Sequence, residues 1–197
     1  MESTVIPMAV NRTSRCPTLA LLLALASALG LAAGPDGSPP KRAEALWREA
    51  AGLHVEQQYE AAIERFRASI ALHPSARAHT WLAWSLSHLG DYERAVEHCR
   101  RAIALDPGYP NAYNDLGSYL VTLDRAREAE PWLRRALEFD DYCCPHYAWY
   151  HLGRAQLLQG RPEQAMGSVE RSLQHRPNYR PAVQLLILLR LLDLRPA

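Results

Sequence analysis

The chain has 197 residues with a formal net charge of +1 and an apolar fraction of 48%. That length and composition support a real hydrophobic core and argue against disorder. The near-zero charge lacks the concentrated Lys and Arg that phosphate backbones require, so nucleic acid is not an expected partner.

Residues 1–18 carry Arg12 and Arg15, the uncharged apolar run LALLLALASALGLAA follows at 19–33, and then comes GPDGSPP. This order of basic, apolar and turn-forming segments describes a secretory signal over residues 1–33. The run is shorter than the roughly 20 residues that span a bilayer comfortably. Small residues at Ala28, Gly30 and Ala32 suit a signal peptidase, and the alternative is an uncleaved amino-terminal membrane anchor. Under both readings the folded part is exported, to a periplasmic space or out of the cell. Residues 34–42 read as a linker. Cys16 precedes the apolar run, where it does not fit a lipoprotein site, and Cys99, Cys143 and Cys144 are too few and odd in number for a disulfide framework.

From residue 43 onward the chain repeats itself. QQYEAAIERFRASIALHP, GDYERAVEHCRRAIALDP, DRAREAEPWLRRALEFDD and GRPEQAMGSVERSLQHRP end at Pro74, Pro107, Asp141 and Pro177, spaced 33, 34 and 36 residues apart. Small residues hold fixed places: Ala50, Ala83, Gly117 and Gly153, each followed 12 residues later by Ala62, Ala95, Ala129 and Ala165, then by Ser69, Ala102, Ala136 and Ser172. Small side chains at matched positions predict pairs of antiparallel helices whose axes approach closely. The turns fall at HVEQQ, HLGD, TLDR and LQGR. Leu82, Leu86, Leu116, Leu120 and Leu152 on first helices, with Val96, Ile103, Leu105, Leu133 and Leu137 on second helices, are expected to fill the space between them. The prolines are expected to end the second helices, and the two extra residues of the last period are placed in DYCCPH.

The stretch AYNDLGSYLVTLDRAREAEPWLRRALEFD resembles the tetratricopeptide repeat, a helix-turn-helix unit with a period of 34 residues. Glu49, His79 and Pro162 depart from that pattern. The resemblance implies an all-α fold: an α-solenoid of four repeats over residues 43–177 (43–75, 76–109, 110–143 and 144–177). It further implies a right-handed superhelix with first helices lining an inner groove. Its groove positions fall on Trp47, Ala51, His54, Thr80, Trp84, His88, Asn111, Asn114, Ser118, Tyr150 and Arg154. Aromatic and hydrogen-bonding groups in that mixture suit capture of a protein or peptide segment. The carboxylate clamp of some family members is absent, since Trp47, Thr80 and Trp84 occupy its places. The segment YCCPHYAWYHLG also resembles exported type IV pilus assembly proteins of the pilotin kind, through Tyr142, Pro145, Ala148, Leu152 and Gly153, with His151 in place of an asparagine.

Residues 178–197 form an apolar carboxy-terminal helix. Val183, Leu185, Leu186, Ile187, Leu188, Leu189, Leu191 and Leu192 run round its whole circumference, whereas a solenoid cap normally has a polar outer face. An interface centred on Leu185, Leu188, Leu189 and Leu192 is expected, docking a partner, a second copy or a membrane surface.

No catalytic constellation is visible. Cys143, Cys144, His146 and His151 crowd one loop and helix start, but adjacent cysteines make poor ligands for one tetrahedral metal. Cys99 reads as a buried small hydrophobe, and the other histidines as scattered without a common face. Phosphate-cradling, nucleophile-elbow and His-Glu-x-x-His motifs are missing. The expectation is a non-catalytic scaffold with neither cofactor nor metal.

Overall fold

A computed structural model describes residues 38–193, with side chains to Leu191. The signal or anchor reading of residues 1–33 lies outside the described residues. Among those described there are nine α-helices and no strand. They are α1 (Pro39–Val55), α2 (Tyr59–Leu72), α3 (Ala76–His88), α4 (Tyr92–Leu105), α5 (Pro110–Thr122), α6 (Ala126–Ala136), α7 (Pro145–Leu158), α8 (Pro162–His175) and α9 (Arg180–Asp193). α1 starts inside the stretch expected to be linker. Pro39 and Pro40 occupy its first turn, where the missing N–H groups have no intrahelical partner to lose.

Each odd-numbered helix from α1 to α7 pairs with the helix after it through a connection of three residues, and the middle residue of all four connections has positive φ: Gln57 (62°), Gly90 (80°), Asp124 (59°) and Gly160 (72°). The left-handed residue turns the chain and lets the next N–H reach back to a carbonyl five residues earlier. Gln58 to Leu53, Asp91 to Leu86, Arg125 to Leu120 and Arg161 to Gln156 all make this bond, at 2.8–3.0 Å.

Three second helices stop for one reason. His73, Asp106 and Arg176 each precede a proline and take an extended conformation, while their N–H groups still cap Ser69, Ala102 and Ser172. The proline ring disfavours helical dihedrals in the residue before it. The third repeat has no proline there, and α6 instead ends early at Ala136, leaving an eight-residue connection, 137–144, before α7. The two extra residues fall in this connection, as the period implied.

The aligned small residues lie inside. Ala50, Ala83, Ala62, Ala95, Ala129 and Ala165 are fully buried, as are Gly117 and Gly153. In the outer repeats Ser69 and Ser172 add a bond: their hydroxyls donate to the carbonyls of Ala43 and His146, both at 2.7 Å. In the middle repeats Ala102 and Ala136 fill the same position. Leu82, Leu86, Leu116, Leu120, Leu133 and Leu152 form the centre of the core, with Val96. Leu105 does not join them. It is 49% exposed, because the last residue of α4 has already turned off the buried stripe.

First helices touch the first helices of the next repeat, α1 to α3, α3 to α5 and α5 to α7, while second helices bridge the first helices of their own and the following repeat. This arrangement gathers the first helices on the concave side. Ion pairs tie the second helices across repeats, Arg100 with Glu128 and Arg125 with Glu93. Glu130 of α6 accepts from Arg134 (2.7 Å), Gln159 (3.1 Å) and Arg161. Burial alone raises its carboxyl, but these donors outweigh that and bring it down to about 2. No described helix is long and apolar enough to cross a membrane.

Candidate functional site

A cavity of about 570 Å³ opens on the concave side, walled by α3, α5 and α7 and by the 137–144 connection. Its size suits a few side chains of a bound segment. Of the residues expected in a groove, Thr80, Trp84, His88, Asn111, Asn114 and Ser118 line it together. Trp84 keeps 45% of its surface exposed, an unusual allowance for so large an apolar ring.

Five expected residues lie elsewhere, among them Ala51, which packs partly buried against the core. Trp47 packs edge-on against Trp81 at 5.5 Å between centroids, with the Arg77 guanidinium 3.9 Å over its ring. Its indole N–H is buried without a partner. His54 is buried and shares a 2.9 Å hydrogen bond between Nδ1 and the Ser85 hydroxyl, so it holds α1 to α3 and offers no free surface. Tyr150 packs on the joint of the fourth repeat with α9, edge-on to Tyr179 at 5.4 Å, and Arg154 lies 5.9 Å over its ring.

The groove also holds residues that the sequence reading passed over. Trp81, Asp115 and His151 occupy one equivalent position in three successive repeats and all line it. The spacing of 34 and 36 residues between them was the signal that placed them in one column. Tyr142, Cys143 and Cys144 enter from the long connection. Tyr142 is buried there, which pushes its phenol up strongly. The Cys143 and Cys144 sulfurs are 3.0 Å apart as free thiols, and burial pushes Cys144 up to about 11.

Burial sets the electrostatics of the groove floor. It raises the Asp115 carboxyl to about 7, against the one hydrogen bond it accepts from Asn114 Nδ2 at 3.0 Å. His151 is pulled down to about 3, first by burial and then by the Arg154 charge, so its imidazole is neutral near pH 7. Asn114 Oδ1 and His151 Nδ1 are both buried without a hydrogen-bond partner. No lysine or arginine lines this cavity.

Histidines expected to be scattered are in fact paired across helices. His79 and His98 stack with their Nδ1 atoms 2.9 Å apart, and burial draws both down, His98 to about 4. His88 stacks on Tyr59 at 4.5 Å. Among the described residues no group of three His, Cys, Asp or Glu is placed to hold a metal ion.

The apolar carboxy-terminal helix divides differently from expectation. Leu189 is fully buried on the fourth repeat, and Leu185 packs half-buried beside it. Leu188 faces outward, and the outer face continues through Val183, Ile187 and Leu191, the last 56% exposed. The Leu192 side chain lies outside the described residues.

Comparison with known proteins agrees with this architecture. Three tetratricopeptide repeat family models match residues 55–110, 86–148 and 147–179, a continuous run over most of the helical region. A small glutamine-rich tetratricopeptide repeat-containing protein 2 of Mycosarcoma maydis is 28% identical over 107 residues, 54% of this chain and only 30% of that protein. Among solved structures, PilF of Pseudomonas aeruginosa aligns with a TM-score of 0.73 at 24% identity, covering 79% of this chain and 70% of PilF. PilW, described as a widely conserved type IV pilus biogenesis factor, aligns at 0.72 and 24%, covering 76% of this chain and 69% of PilW. YrrB, a repeat protein with an unusual peptide-binding site, aligns at 0.63 and 18%, covering 85% and 86%. With its period, its four left-handed hairpin turns and these matches, the chain belongs to the tetratricopeptide repeat family and has that family's fold for protein–protein interaction.

Proposed function

We propose that this protein is a non-catalytic scaffold that holds a segment of a partner protein in the groove between α3, α5 and α7. The observation that carries the reading is a concave cavity where exposed Trp84 stands among hydrogen-bonding groups, two of whose buried polar atoms have no internal partner. Aromatic anchors beside unsatisfied polar atoms favour a bound chain, because binding supplies both apolar contact and the missing hydrogen bonds. Peptides selected from a random display library on the full chain test this. They compete with one another for one site, and Trp84→Ala and Asn111→Ala weaken them while the melting temperature holds. Undiminished binding to both variants overturns the reading.

A second reading adds a setting. The likeness to PilF and PilW, together with the apolar run at residues 19–33, supports an exported factor that assists assembly of a pilus or related surface structure. The amino-terminal segment is then either removed on export or kept as an anchor. Amino-terminal sequencing of the mature protein separates these, a start near Ala33 marking removal. Recovery of the whole protein from the cytoplasm with Met1 intact counts against export altogether.

A further inference from the structure

We infer that the groove receives a cationic side chain, an arginine or lysine of the bound segment, on acceptors supplied by Asp115 and Asn114. This rests on the groove reading above and goes further, naming the chemistry of the partner.

Asn114 is only 7% exposed. Its amide nitrogen donates to Asp115 Oδ1, and that bond fixes the amide so that Oδ1, an acceptor, is the atom left buried and unpartnered. Asp115 accepts no other side-chain hydrogen bond and enters no ion pair among the described residues. A buried acceptor left empty is costly, and a buried carboxylate more so.

Three cavity hydroxyls are already committed: Thr80 donates to the Ala76 carbonyl, Ser118 to that of Asp115, and Ser87 to that of Trp84. None of these fills the two acceptors on the floor, Asn114 Oδ1 and the Asp115 carboxylate. An acidic or phosphorylated segment brings only more acceptors and meets the Asp115 charge, so it is disfavoured. A guanidinium brings five N–H donors and an ammonium three, each with the positive charge that a buried carboxylate lacks. The aromatic lining adds attraction for a cation over a ring face. Burial holds Asp115 near neutrality's edge at about 7, so an incoming cation has a carboxylate to bind once the proton leaves.

Peptides selected on the full chain provide the probes. The expected result is enrichment of Arg or Lys at one peptide position. Replacing that residue with citrulline or acetyl-lysine, which keep length and lose charge, then weakens binding at least about ten-fold. Asp115→Asn weakens the charged peptide similarly and leaves the citrulline peptide unchanged, with its own thermal melt confirming the fold. If citrulline peptides bind as tightly, or Asp115→Asn has no effect, while Asn111→Ala still weakens binding, the cation inference falls and the groove reading stands. If the peptides ignore Asn111→Ala and Trp84→Ala as well, both fall.

Discussion

A methyl group placed on Gly153 would stand 2.7 Å from Val169 Cγ2 and 3.1 Å from the Ala165 carbonyl. α7 and α8 are thus in contact through a position that has no side chain at all. Gly153→Ala should destabilise the fold by about 1–3 kcal/mol through overpacking, despite the gain in helix propensity. Gly117→Ala should do likewise against Leu133, itself fully buried. Gly167 in α8 meets nothing within 4 Å of a built Cβ, and Gly167→Ala should stabilise by about 1 kcal/mol. Urea melts of the three variants read these opposite signs.

The four hairpin turns demand a left-handed residue, yet only two of them supply glycine. Gln57→Gly and Asp124→Gly should each stabilise by about 1 kcal/mol, since a Cβ is strained at those angles. Gly90→Ala and Gly160→Ala should cost about as much. Thermal denaturation of the four single variants checks the pattern.

Glu130 ties α6 to the α7–α8 turn through Gln159 and Arg161, and accepts as well from Arg134 of its own helix. Glu130→Ala should cost about 1–3 kcal/mol at pH 7, because charged donors lose a largely buried acceptor. The native carboxyl lies below its unfolded value, so its contribution is present above pH 4.5 and is lost as pH falls toward 2. Variant and wild-type stabilities should converge at that acid end.

Asp115 acts in the opposite sense. Its carboxyl is raised in the folded state from 3.8 to about 7, so its contribution is fully present below pH 4 and is lost as pH rises through 7. Asp115→Asn should accordingly melt close to wild type at pH 4 and above it at pH 8. At about 1.4 kcal/mol per unit, up to about 4 kcal/mol is expected there, worth roughly 10 °C. A lower melting temperature at pH 8 would mean the carboxylate has a cationic partner within the chain.

The outward face of α9 presents Val183, Ile187, Leu188 and Leu191 to water. Burying any one of these fully would release about 1.5–3 kcal/mol. Wild type should bind a hydrophobic dye, and Ile187→Ser with Leu191→Ser should abolish most of that signal without lowering the melting temperature. Equal dye binding by the variant would place the apolar surface elsewhere.

The repeat architecture was legible because small side chains and prolines act locally. Ala50, Ala83, Gly117 and Gly153 sit in the sequence at one phase and in the structure at one kind of contact. Pro74, Pro107 and Pro177 end helices through the residue just before them. The groove was less legible because neighbouring positions on a first helix differ by about 100° in direction. A reading displaced by one residue chose Thr80, Asn114 and Tyr150, the last of which faces Tyr179 instead of the cavity, and missed Trp81, Asp115 and His151. Leu105 and Leu189 mislead for a related reason, since apolar character does not tell a helix end or a half-turned face from the core. Tyr142, Cys143 and Cys144 entered the groove only because α6 stops at Ala136. No proline marks that early stop as one marks the ends of the other second helices, and a missing signal is hard to read.

The eight-residue joint before α7 has a consequence for how this binding face can diversify. In a stack where every unit leans only on its neighbours, a longer joint is absorbed at one seam and leaves the remaining seams intact. Substituting its exposed position Cys143 reshapes one wall of the cavity, while Leu137, Phe139 and Tyr142 keep the segment packed on Tyr113 and Ala148. At that position partner preference is uncoupled from folding, and a lineage can retune the first without endangering the second.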